Sequence, residues 1–120
     1  MAEYAALVAS QALAQPPDPI VDEWLCELIA ANDREAYKYV LAGALAEFNL
    51  VAKVGAIRCS TLVITGDDDR VIQAAKGFAL SQMIKGARYA DIARAGHISY
   101  AEQPAEFNRL VLAFLAEQRR

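Results

Sequence analysis

Residues able to do acid–base chemistry gather at two places. Gly66-Asp67-Asp68-Asp69-Arg70 follows a short apolar run, and Ala95-Gly96-His97 carries the only histidine. If both stretches are loops at the C-terminal ends of neighbouring parallel strands, one carboxylate can hydrogen-bond the imidazole. It would then fix the ring's tautomer and stabilise the imidazolium formed when the other nitrogen takes a proton. Simpler readings stand beside this one. A lone histidine is often a surface or satisfied core residue. The acidic run also fits a solvated loop, or a cluster facing the dipole of a following helix. It lacks the glycine and glutamate of a calcium loop.

The elements that must position these groups read clearly. Thr61 to Thr65 is a β-branched run closed by Gly66, as in a parallel strand buried on both faces. Gln73 to Met83 reads as a helix with Ala74, Phe78 and Met83 among its apolar positions, and Arg88 to Ala93 as a second strand. Together they make a βαβ unit. Pro104 opens a closing helix with the stripe Phe107, Leu110, Val111, Phe114 and Leu115.

Residues 1–50 have a different character, alanine- and leucine-rich with helical spacing. One helix runs from Ala2 to Ala14 and stops before Pro16-Pro17. Asp18 caps a second, with Pro19 in its first turn and Val21, Leu25, Leu28 and Ile29 on one stripe. A third starts at Asn32 or Asp33, where Asn32 and Glu35 form a capping-box pattern, and places Tyr37, Val40, Leu41, Ala44, Leu45 and Phe48 on one face. The chain therefore divides into a helical segment, 1–50, and a βαβ-helix part, 51–120.

The 120 residues are 56% hydrophobic, enough for a core, with twelve basic against fifteen acidic side chains. Without a basic run interleaved with aromatics, no nucleic-acid partner is expected. The start lacks the pattern of a signal peptide, and no apolar run reaches the roughly eighteen residues of a membrane span. The expectation is a soluble cytoplasmic chain without a membrane partner. Cys26 and Cys59 match no metal-ligand spacing, and no glycine-rich phosphate cradle follows a strand, so neither a metal nor another cofactor is expected.

Ile57-Arg58-Cys59-Ser60-Thr61-Leu62-Val63-Ile64-Thr65-Gly66-Asp67-Asp68-Asp69 resembles the acid-bearing segment of the α/β-hydrolase superfamily, whose usual form is an isoleucine, a Pro-Thr-Leu strand and Gly-x-x-Asp. Ala95-Gly96-His97 followed by Glu102-Gln103-Pro104 and Phe107 is similar to its histidine loop and closing helix. Ala31-Asn32-Asp33 through Tyr37 to Phe48-Asn49-Leu50 resembles the return from cap to core in the enol-lactonase and esterase branch. The resemblance implies the C-terminal part of an α/β-hydrolase fold, with Asp69 as triad acid, His97 as base and residues 1–50 as cap material. Ser60 and Gln73 stand where the family commonly has proline, positions remote from the chemistry. No Gly-x-Ser-x-Gly elbow occurs, and Ser10, Ser60, Ser81 and Ser99 all lack the flanking glycines. No His-Gly stretch offers an oxyanion-hole amide.

In the family the serine precedes the acid and the base, so the resemblance implies an N-terminally truncated hydrolase. Completed by its other half, it would act on a small-molecule ester, lactone or related acyl substrate. Alone it is expected to be inactive, and to form a homo-oligomer or to complement a separate hydrolase fragment. Two other readings remain: a non-catalytic, self-associating interaction module, and a His-Asp pair used without serine, as in cofactor-free relatives of this scaffold.

Overall fold

A computed structural model describes residues 1–47 and 49–118, with side chains for all of these except 44–47. Helix α1 (Ala2–Ala12) packs on α2 (Pro19–Ala30) through a stripe of small residues, Ala5, Ala9 and Ala12, laid against Leu25 and Ile29. Helix α1 ends two residues before the sequence reading. Leu13 takes an extended backbone, keeps one bond back to Ala9 O and turns its side chain fully into this core. The Asp18 cap forms as expected, Oδ1 accepting from the Ile20 and Val21 amides at 2.8 and 3.3 Å.

The start of α3 (Arg34–Glu47) differs. Asp33 is its cap, with Oδ1 accepting from Ala36 N–H at 2.7 Å, because the Asn32 amide is occupied in closing α2 through Leu28 O. Glu35 pairs with Lys38 instead of completing a capping box. Helix α3 touches α1 where Tyr37 meets Tyr4 edge-on, centroids 5.7 Å apart, but Val40 and Leu41 of its expected stripe are exposed. The Ala44, Leu45 and Phe48 members of that stripe lie outside the described side chains. A short helix, α4 (Val51–Val54), which periodicity did not reveal, leads to the sheet.

The sheet consists of β1 (Leu62–Gly66) and β2 (Arg88–Ile92), parallel, with Leu62 opposite Arg88 and Gly66 opposite Ile92. Helix α5 (Ala74–Met83) joins them. Its buried residues are Gly77 and Ser81, whereas Phe78 and Met83 remain exposed, contrary to the apolar face read from the sequence. The reason is close approach: a Cβ on Gly77 would fall on the Thr65 methyl, so only small side chains fit between helix and strand. Phe78 lies at the margin, edge-on to Tyr89 at 5.3 Å. After β2 come α6 (Ser99–Glu102) and α7 (Pro104–Glu117), which pack on each other, and α7 also lies along β2, where Arg88 pairs with Glu117.

Burial on both faces of β1 is not what this chain achieves. Leu62 to Thr65 are half-buried and only Gly66 is buried; α7 has no buried residue, and Leu115 of its stripe is exposed. A radius of gyration of 16.1 Å exceeds the roughly 14 Å of a closed globule this long. Among the described residues the helices leave this sheet partly uncovered.

Candidate active site

The two loops meet at the C-terminal edge of the strands. Asp67 N–H donates to Ile92 O at 3.1 Å and Asp68 N–H to Ala95 O at 3.0 Å. Ala95 N–H returns a long 3.4 Å bond to Asp67 Oδ1. Gly66 allows this contact, since a Cβ there would strike the Ala95 and Gly96 carbonyl oxygens. Arg94 turns the second loop from the left-handed region, φ 57°, delivering the buried Ala95 and Gly96 ahead of His97.

Asp69 and His97 come together, Oδ2 to Nδ1 at 2.9 Å. The other carboxylate oxygen accepts from the Val71 and Ile72 amides at 2.9 and 2.8 Å, which leaves the side chain little rotational freedom. The Asp69 side chain is 7% exposed and that of His97 38%, so a shielded acid backs an imidazole that faces solvent. A carboxylate only accepts, hence the shared proton belongs on Nδ1 and the lone pair on Nε2. Among the described residues no protein group bonds to Nε2. An imidazole in this state can take a proton from a donor brought to it.

Asp67 and Asp68, the x-x of the family's Gly-x-x-Asp pattern, hold the loops. Asp68 Oδ2 accepts from Gln15 N–H at 2.9 Å and from Arg70 at 3.0 Å. The Gln15 amide first, and then Arg70, hold its carboxyl below the ordinary range. Residues 12–15 form a strap over the histidine loop. His97 N–H donates to Ala12 O at 2.6 Å, and a Cβ on Gly96 would meet the strap's backbone. Glu102 enters the sequence reading only as part of the resemblance to the family's histidine loop and is given no role there; its carboxylate accepts from Ala14 and Gly96.

A polar cleft of about 790 Å³ lined by Pro16, Asp67, Arg70, Arg94 and Gln103 opens beside the strap without reaching Asp69 or His97. A shallower apolar recess, about 270 Å³, lies between α2 and α6, bounded by Ile20, Val21, Trp24, Tyr100 and Ala101. Among the described residues no three His, Cys, Asp or Glu side chains gather as a metal site, and no helix is long and apolar enough to cross a membrane. Cys26 and Cys59 are unpaired thiols; burial, with Asp22 nearby, raises the Cys26 pKa.

The chain has part of an α/β-hydrolase fold, and its homologues and structural neighbours are α/β-hydrolases, an enol-lactonase and esterases among them. The 2-hydroxy-6-oxononadienedioate/2-hydroxy-6-oxononatrienedioate hydrolase of Paraburkholderia xenovorans strain LB400 is 33% identical over 101 residues, 82% of this chain and 35% of that enzyme. A hydrolase from Pseudomonas aeruginosa PA01 superposes with a TM-score of 0.80 at 32% identity, over 96% of this chain and 44% of its own. The enol-lactonase from Burkholderia xenovorans LB400 gives 0.84 at 27% identity, over 95% and 45%. No family model matches the chain. The chain spans between 4% and 35% of the length of the curated relatives it matches.

Proposed function

We propose that this chain supplies the acid, Asp69, and the base, His97, of a serine hydrolase acting on ester, lactone or related acyl bonds, the nucleophile coming from outside these 120 residues. The observation that carries the reading is the 2.9 Å bond between Asp69 and Nδ1, with Nε2 free of partners among the described residues at a strand-end loop. In the completed site a serine Oγ attacks the acyl carbon while its proton passes to His97 Nε2. Asp69 holds the ring and balances its charge, and the proton then goes to the leaving group as the carbonyl re-forms. Water repeats the sequence on the acyl-enzyme, returning the serine and the acid product. The hydrolase and enol-lactonase relatives support this class. In this reading residues 1–50 serve as cap over 51–120 as core, and the recess between α2 and α6 offers an apolar wall to the substrate.

The test has two arms. The 120-residue chain alone should hydrolyse an activated ester no faster than its His97→Ala variant, because a base without nucleophile and oxyanion donors has little to act on. Co-expressed with the complementary N-terminal part of the Pseudomonas hydrolase, it should gain turnover that disappears with His97→Ala. Turnover indifferent to His97 in that assembly would sink the proposal.

A second reading, self-association, draws on the sheet. Among the described residues β1 and β2 have only each other as neighbours, so each keeps an unpaired edge, and Leu112 and Leu115 of α7 and Val71 and Ile72 after β1 are exposed. Without a complementing fragment the chain should form a homo-oligomer burying more than about 1,000 Å². Sedimentation should show mass rising with concentration, and a compact monomer at every concentration would refute it.

A further inference from the structure

We infer that Glu102 is a positioning residue for His97, its carboxylate tying the histidine loop to the strap so that the imidazole is presented to Asp69. The inference rests on the reading of His97 as a base. Glu102 ends the short turn that follows the histidine. Its Oε1 accepts from Ala14 N–H at 2.6 Å and its Oε2 from Gly96 N–H at 2.7 Å, both at the short end for charge-assisted bonds. Ala12 O, two residues before Ala14 on the same strap, accepts from His97 N–H at 2.6 Å. The consecutive amides of Gly96 and His97 are thus held from two directions, one by the carboxylate and one by a segment that the same carboxylate holds. That fixes where the His97 Cβ points, leaving its side-chain torsions to complete the bond to Asp69. Glutamine cannot replace the carboxylate here, since its NH2 would face one of the two N–H donors.

The test is nitrogen-resolved NMR on the 120-residue chain. In the unaltered protein the Ala14 and Gly96 amides should lie downfield and exchange slowly, and His97 should be mainly the Nδ1–H tautomer. In Glu102→Gln both amides should exchange about tenfold faster or more, and the Nδ1–H share should fall, while the Ile20 amide at the Asp18 cap is unchanged. In the complemented hydrolase the same variant should lower kcat by about ten- to a hundredfold with little change in KM. If Glu102→Gln does not fold, Glu102→Asp keeps the charge and both acceptor oxygens but sets them a methylene short of the two amides. It should show a smaller loss of the same tautomer. Unprotected amides in the unaltered chain, or an unchanged tautomer in a folded variant, would overturn the inference. Complemented activity that needs His97 but ignores Glu102→Gln would remove only the role of Glu102. A tautomer that responds to Glu102→Gln in an assembly indifferent to His97→Ala would instead remove the reading of His97 as base.

Discussion

In the complemented hydrolase Asp69→Asn should lower kcat by about a thousand- to ten-thousandfold while leaving the melting temperature nearly unchanged. The asparagine is close to isosteric, and its carbonyl can still accept from the Val71 and Ile72 amides that hold the aspartate, at 2.9 and 2.8 Å. Its NH2 then faces His97 Nδ1, which must accept rather than donate. The ring proton moves to Nε2, the nitrogen that should receive the serine proton, so the imidazole is ordered but in the wrong tautomer. Steady-state turnover of an activated ester, paired with thermal melts, separates this from simple unfolding. A loss smaller than tenfold would mean that Asp69 does not serve as the triad acid, whatever its contact with His97.

Gly96→Ala should be strongly destabilising, by about 2–4 kcal/mol, beyond the usual cost of overpacking because every group its methyl meets is backbone. A Cβ there would lie 2.8 Å from Leu13 C and from Ala14 N, and closer still to Ala12 O. Gly96 is not in the left-handed region, so the requirement is room rather than backbone freedom. Two controls separate these causes. Gly86 has φ 77° with nothing within 4 Å of its Cβ position, and alanine there should cost about 1–2 kcal/mol through backbone strain alone. Gly43, helical and uncrowded, should gain about 0.5–1 kcal/mol as alanine. Urea melts of the three variants should rank in that order. A Gly96→Ala chain as stable as the original would show that the strap does not cross the histidine loop.

Much of the local structure was legible in the sequence because its causes are local. Asp18 beside Pro19, the β-branched run of Thr61 to Thr65 and Pro104 ahead of an apolar stripe act within a turn or a strand, and each element formed within a few residues of its reading. The capping box at Asn32 misled because two neighbouring helix ends competed for one side chain, and local pattern cannot say which end prevails. The face of α5 misled for a different reason. Hydrophobic periodicity assumes that large apolar residues face the core, but a helix lying close on a strand admits Gly77 and Ser81 and leaves Phe78 at the margin.

The sequence by itself determined the βαβ order and the meeting of an acidic loop with His97, since parallel strands of one unit send their C-terminal loops to the same edge; the choice of Asp69 within that loop came from the resemblance to α/β-hydrolases. Only the tertiary structure decided what holds those candidates. Glu102 reaches Ala14 across 88 positions, and Asp68 reaches Gln15 across 53. A hydrogen bond between segments so distant leaves no periodicity in either of them. It depends on which stretch of chain lies over which loop, and that is set by the packing of α1 against α2 and of Leu13 into their shared core.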